Sequence, residues 1–296
     1  MENNVKPSIL SIGGNGLVGS RISELLSSEY TFTNVGNTQG INITVPESLN
    51  KEIAKDEYTF VILLAAKADV DGCEADKELG EQGEAWKINV EGTQNVVDAC
   101  IKYGKKLIYV STDFVFAGDK EEGEFYTEED IPSPVNWYGE TKYEGEKRVQ
   151  QSGLDYVIVR PAYPYRASFD KKKDFVRAIM ERLENSQEVT AITDHYFTPI
   201  FIDDFAFSIK ALISQNVSGI YHCVGGSVLT PYESAREIAK AFDYDTKMIT
   251  ATTRSEFFAG RAKRPFNLSL KNDKIVQLGV KMRTFSEGLE ELKKQL

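Results

Sequence analysis

Apolar residues in the first half of the chain fall into short contiguous runs, at residues 8–12, 30–35, 59–65, 107–110 and 156–161. Runs of this length that do not alternate with polar positions predict strands covered on both faces, as in a parallel sheet. The stretches between them carry helical patterns, at residues 20–28, at 84–103 and around Tyr138 and Lys142. Strands and helices alternating this regularly predict an α/β fold built on a doubly wound parallel sheet. Beyond residue 162 the pattern loosens into helices over 173–183, 203–214 and 232–242 and strands over 188–192 and 219–223, which predicts a smaller lobe interleaved with the sheet.

Composition narrows the functional classes. With 296 residues, 41% of them hydrophobic, the chain has enough apolar material for a full core. A formal charge of −10 argues against a surface that coats nucleic acid or an anionic membrane. Any anionic ligand must therefore be held by local groups. Cys73, Cys100 and Cys223 are odd in number and far apart, so neither a disulfide framework nor a metal site is expected, and the cytoplasm fits. The start, Met1-Glu2-Asn3-Asn4, is polar and acidic, and the apolar run at 61–66 is too short to span a bilayer; neither secretion nor membrane insertion is expected.

Chemistry enters at the end of the first strand. Gly13-Gly14-Asn15-Gly16-Leu17-Val18-Gly19 can be read as GxGxxG or as GxxGxxG. Either spacing allows a tight turn, a close backbone approach to a pyrophosphate, and a helix N-terminus aimed at it. The second strand ends in Asn34-Val35-Gly36-Asn37, with neither a carboxylate for a ribose hydroxyl nor an arginine for a 2′-phosphate. NAD and NADP both stay open, with NADP slightly preferred. Ala65-Ala66 would let a cofactor lie across the carboxyl edge of the sheet, and Ser111-Thr112-Asp113 puts polar groups at another strand end, where ligands bind in such sheets. Tyr138 and Lys142 stand four apart, on one helix face. A neighbouring cation favours phenolate, which predicts an acid/base tyrosine.

With these motifs assembled, the chain resembles the extended short-chain dehydrogenase/reductase superfamily, and within it the dTDP-4-dehydrorhamnose reductase-like branch. Besides the glycine turn, Thr112, Tyr138 and Lys142, the likeness rests on Val70-Asp71, on Asn89-Val90-Glu91-Gly92-Thr93 and on Val110 to Phe116. It extends to Tyr138 to Glu146 and to Arg264-Pro265-Phe266-Asn267-Leu268. The resemblance implies a Rossmann-type dinucleotide-binding domain over residues 1–162, with parts of 188–220 returning to it, and a mostly substrate-binding lobe over 163–296. It implies that Gly13, Asn15, Gly16, Leu17, Val18, Gly19, Ala65 and Ala66 bind NAD or NADP. Thr112 would bond the substrate oxygen, Tyr138 would be the proton donor, and Lys142 would support it and hold the nicotinamide ribose; no metal is needed.

Asp113, Phe114 and Arg264 are expected on the substrate side, Arg264 because a guanidinium suits a diphosphate. Related dehydratases carry Thr-Asp-Glu where this chain has Thr112-Asp113-Phe114, so dehydration is disfavoured. The expected activity is NAD(P)H-dependent reduction of a keto group on a nucleotide-activated sugar. Two alternatives stand beside it, an NAD-dependent nucleotide-sugar epimerase and a non-catalytic regulatory subunit of the kind found for methionine adenosyltransferase. The superfamily commonly pairs helices into a homodimer. Where the branch shows Gly-Gly-Asn-Phe, this chain has Lys172-Lys173-Asp174-Phe175, and Lys171 to Lys173 read as a solvated charged face. Arg254, Arg261 and Lys263 cluster near Arg264. His195 and His222 read as structural, and Tyr163, Tyr165 and Phe169 as core or ring-flanking aromatics.

Overall fold

The computed structural model describes residues 6–296; the start at Met1 to Asn4, read above as carrying no targeting signal, lies outside the described residues. Among the described residues ten strands follow in chain order: β1 Ser8–Ile12, β2 Thr31–Val35, β3 Tyr58–Leu63, β4 Lys106–Val110, β5 Tyr156–Arg160, β6 Val189–Ile192, β7 Tyr196–Phe197, β8 Gly219–His222, β9 Ile249–Thr252 and β10 Asn267–Leu268. Six of them form one parallel sheet in the order β2-β1-β3-β4-β5-β8. The chain steps from β1 outward to β2 and then returns past β1 to β3. That reversal opens a crevice at the carboxyl ends of β1 and β3.

Contiguous apolar strands make sense because both faces are covered. Ile9, Ile62, Ile108 and Val157 pack beneath the helix Ile202–Ser214, through Phe205, Ile209 and Leu212. Leu10, Val61, Leu107 and Ile158 point the other way, towards Val96, Val97 and Cys100 of the helix Gly92–Tyr103. Alternate residues of each strand thus serve opposite layers. The smaller cluster holds the parallel pair β6–β9 against the helices Phe175–Glu184 and Pro231–Ala241. Cys73, Cys100 and Cys223 are free and buried. Among the described residues no helix is long and apolar enough to cross a membrane.

Three elements differ from the sequence expectation in ways that matter for the site. The first helix begins at Leu17, three residues early, so the last part of the glycine motif forms its first turn. The segment 84–103 is not one continuous helix, because a π-helical turn over Lys87–Glu91 separates two α-helical parts. The helix after the lysine run begins at Phe175, since the Asp174 side chain caps it by accepting from the Arg177 N–H (3.1 Å).

Under the cleft, Arg160 at the end of β5 meets Glu146 in a two-pronged ion pair (2.9 and 2.6 Å), with both side chains out of water. Arg160 also lies 5.0 Å from the centre of the Phe116 ring and 3.4 Å from His222 Nε2. Removing one partner of such a pair leaves a buried charge uncompensated. Glu146→Ala is expected to lower the unfolding free energy by about 3–5 kcal/mol in urea denaturation. A loss below about 1 kcal/mol would mean that water or another group reaches Arg160.

Candidate active site

The glycine turn ties three strand ends together. Gly13 has φ +83°, and a Cβ there would sit 2.6 Å from the Ala65 nitrogen. Its N–H donates to the Val35 carbonyl (2.7 Å), and the Ala65 N–H donates to the Ile12 carbonyl (3.0 Å). A Cβ on Gly19 would fall 2.6 Å from Gly14 Cα. Gly16 caps the helix, and Ser20 N–H makes the first bond back to the Gly16 carbonyl (3.1 Å), so the N–H groups of Leu17, Val18 and Gly19 precede the intrahelical ladder. Such a cradle of N–H groups and absent side chains fits a dinucleotide pyrophosphate. Asn34 turns back beneath the turn, its Nδ2 donating to Ser23 Oγ (2.8 Å), while Asn15 reaches Gln39 Oε1 (3.0 Å) across the open end.

Two strands away, β4 delivers Thr112 and Asp113. Thr112 Oγ1 donates to Asp113 Oδ1 (2.9 Å) and accepts from the Phe114 N–H (3.2 Å). Burial lifts the Asp113 carboxyl to about 7, and its Oδ2 has no hydrogen-bond partner. The helix Trp137–Gln150 lies across this strand end. Its first turn is fixed twice, by Asn136 Oδ1 accepting from Gly139 N–H (2.9 Å) and by Glu74 accepting from Trp137 N–H (2.7 Å). Tyr138 is thereby held edge-on to the Phe114 ring at 5.7 Å.

Lys142 is buried, as sequence spacing alone does not reveal. Its Nζ donates to the Val110 carbonyl (2.9 Å) and lies 4.2 Å from the centre of the Tyr109 ring. Burial pulls its pKa down to about 7, with Glu146 opposing. The expectation of a phenol acidified by its lysine is not met in the chain by itself. Burial instead raises the Tyr138 pKa above its ordinary value, with the Thr112 side chain pulling it partly back.

The late segment 254–266 lines a cleft of about 600 Å³ through Arg254, Phe258, Arg261, Arg264 and Phe266, with Val135; Thr112, Tyr138 and Lys142 are not among its lining residues. Arg264 lies 4.6 Å from the Phe258 ring centre and pairs with Asp71 (3.0 Å); Arg261 pairs with the same carboxylate, and the Ala262 N–H donates to it (3.2 Å). Although burial works against it, the two arginines hold Asp71 below the usual carboxylate range. Lys171, Lys172 and Lys173 are exposed, Lys173 pairing with Glu181. His222 is buried beside Arg160, and Tyr165 lies in an aromatic cluster with Phe201 and Phe285. Phe169 sits 5.5 Å from the Arg166 guanidinium.

Asn89 is a structural contributor that residue type alone does not reveal. The π turn aims its side chain at the end of β3, where Oδ1 accepts from Lys67 N–H (2.9 Å) and Nδ2 donates to the Lys67 carbonyl and to Thr141 Oγ1 (both 3.0 Å). It thus fastens the strand end beyond Ala66 to the helix that carries Tyr138. A glycine at 92, whose Cβ would be 2.7 Å from Ile43, marks the irregular turn in the sequence.

The two titrating groups give a signed prediction. Lys142 has a pKa of about 7 when folded against 10.5 for the free side chain, so between those values the unfolded chain binds more protons and stability rises with pH. Asp113 runs the other way: its folded value of about 7 lies above 3.8, and the stability it contributes at low pH is lost as pH climbs from about 4 to 7. Lys142→Met is expected to flatten the dependence of unfolding free energy on pH between about 7.5 and 9.5, by up to about 1.4 kcal/mol per pH unit. Parallel curves for wild type and variant would place Lys142 in water.

Comparison with known proteins follows this geometry. The family described as RmlD substrate binding domain matches residues 7–296. A solved structure of dTDP-4-dehydrorhamnose reductase from Bacillus anthracis, in complex with NADP, superposes with a TM-score of 0.89 at 27% identity, covering 99% of this chain and 100% of its own. A dTDP-4-dehydrorhamnose reductase from Clostridium acetobutylicum gives 0.86 at 31%, covering 97% of this chain and 99% of its own. Methionine adenosyltransferase 2 subunit beta of Mus musculus is 28% identical, over 96% of this chain and 86% of its own.

Proposed function

The chain belongs to the RmlD substrate binding domain family, and from that membership we propose that it is an NAD(P)H-dependent reductase of a keto group on a nucleotide-activated sugar, with Tyr138 as proton donor. One observation carries this reading: Thr112, Tyr138 and Lys142 converge at the carboxyl edge of β4, in the same sheet edge as the glycine turn. The solved relative with NADP supports the cofactor. NADP is our preference, because the end of β2 offers amides at Asn37 and Gln39 and no carboxylate to repel a 2′-phosphate.

A nicotinamide dinucleotide, when bound, supplies the hydride. The carbonyl oxygen that gains electrons needs a proton as it does so, and the Tyr138 hydroxyl, kept protonated by burial, gives it. Thr112 Oγ1 donates to the same oxygen when its proton turns away from Asp113 Oδ1. Lys142, whose pKa of about 7 lets it take or release a proton near neutrality, serves the reprotonation of Tyr138 and the ribose hydroxyls. Gly13, Asn15, Gly16, Leu17, Val18, Gly19, Ala65 and Ala66 form the dinucleotide side; Asp113, Phe114 and Arg264 form the sugar-nucleotide side. With Phe114 in place of a second carboxyl group, elimination of water lacks its catalyst. A boundary near residue 162 between the dinucleotide and substrate lobes, and assembly as a homodimer, belong to the same proposal.

The likeness to methionine adenosyltransferase 2 subunit beta favours a second reading, a cofactor-binding regulatory subunit. NADPH oxidation with dTDP-4-dehydrorhamnose separates the two. Tyr138→Phe is expected to lower kcat by about 10²–10⁴ with cofactor affinity within about threefold of wild type. Turnover unchanged in that variant would remove the proton donor. No turnover by the wild type, together with altered kinetics of a co-purified methionine adenosyltransferase, would establish the regulatory reading.

A further inference from the structure

Tyr163 carries an unusual backbone. Its φ of +41° is a conformation that a bulky L side chain adopts only under constraint from its surroundings. The constraint is visible on both sides: Ile200 N–H donates to the Ala162 carbonyl (3.1 Å), and Tyr165 N–H donates to the Ile200 carbonyl (3.0 Å). So held, the Tyr163 ring lies 4.2 Å from Phe197 and 6.5 Å from Phe114, whose other side meets Tyr138. It stands close enough to Asp113 for that carboxylate to bear on its ionisation. Its ring is therefore part of the neighbourhood where the sugar ring is expected.

The proton on that hydroxyl has a defined direction. His195 Nδ1 lies 2.7 Å from the Pro265 carbonyl, which can only accept, so Nδ1 carries a proton. Burial lowers the His195 pKa to about 4, and the ring is neutral at physiological pH. Nε2 is then a bare acceptor, 2.9 Å from the Tyr163 oxygen, and Tyr163 donates to it. With its only proton committed, the Tyr163 oxygen has lone pairs alone to offer a ligand. Pro265 directly follows Arg264, so the segment that holds the guanidinium also sets the histidine tautomer.

We propose that Tyr163 and His195 form a specificity device, in which Tyr163, packed near Phe114, serves as a hydrogen-bond acceptor only and selects a sugar bearing a hydroxyl group at the position it meets. This rests on the sugar-nucleotide reading above. Tyr163 is the contacting residue, and His195 is a positioning residue that acts through it. A ring with hydrogen in place of that hydroxyl leaves the tyrosine oxygen without a donor and binds less well.

The test uses dTDP-rhamnose and its 2-deoxy and 3-deoxy analogues, titrated calorimetrically into the full chain loaded with NADPH. Wild type is expected to bind dTDP-rhamnose about tenfold more tightly than one of the two analogues. Tyr163→Phe, which keeps the ring, is expected to erase that preference and leave NADPH affinity within about twofold. An O-methyl analogue at the discriminated position offers the tyrosine no donor, and wild type is expected to bind it about tenfold more weakly than dTDP-rhamnose. His195→Phe, which frees the Tyr163 proton, is expected to bind that analogue within about threefold of the parent sugar, and His195→Gln, whose amide can donate to Pro265 and accept from Tyr163, to restore part of the discrimination. Preference for the parent sugar over the deoxy analogue that persists in Tyr163→Phe overturns the inference, as does binding by wild type without any preference, or discrimination against the O-methyl analogue that is unchanged in His195→Phe. If Tyr163→Phe does not fold, the wild-type comparison and the O-methyl titration of His195→Phe decide. Wild type that binds NADPH but neither dTDP-rhamnose nor its analogues overturns the sugar-nucleotide reading, and this inference with it.

Discussion

The closeness of the Trp137–Gln150 helix to strand β4 is the constraint on which the site depends. Any side chain atom on Gly139 would overlap the Phe114 carbonyl oxygen, and one on Gly145 would overlap the Tyr109 hydroxyl. Only glycine at these two positions lets the helix settle against the strand end. At that distance Lys142 reaches the Val110 carbonyl and the Tyr109 ring, and is sealed from water as a result. The depressed pKa of Lys142 and the raised one of Tyr138 follow from this seal. A helix lying farther out would leave both groups near their ordinary values.

Charge is arranged locally against a strongly acidic background. The chain carries a formal −10, yet one wall of the cleft gathers Arg254, Arg261 and Arg264. Their carboxylate partners are few and shared: Asp71 takes two of them, and Asp194 accepts from the Arg254 backbone N–H (2.5 Å). The wall therefore keeps cationic character on a chain whose formal net charge is strongly negative.

Much of this was readable in the sequence, for physical reasons. Buried parallel strands are apolar on both faces, so β1, β3, β4 and β5 stand out as uninterrupted runs. The glycine turn is visible because no other residue fits beside Ala65 at φ +83°. Tyr138 and Lys142 share a face at four-residue spacing, but the spacing carries no information on burial, and it is burial that lowers the Lys142 pKa and raises that of Tyr138. The pairing of Asp71 with Arg261 and Arg264 joins residues about 190 positions apart, and local pattern cannot reveal it. Nor can it show the tautomer of His195, which depends on a carbonyl 70 residues away.

The clasp between Asp71 and the late arginines also bears on how the protein is made. As the chain leaves the ribosome, β1 to β4 and the glycine turn emerge well before residues 261–264 exist. Local contacts around the first four strands can form early, since domains tend to organise from the N-terminal side during synthesis. The arginine wall waits for nearly the whole length of the polypeptide, and until then Asp71 has neither arginine partner. A nascent chain could thus acquire its glycine turn while its arginine segment is still untranslated.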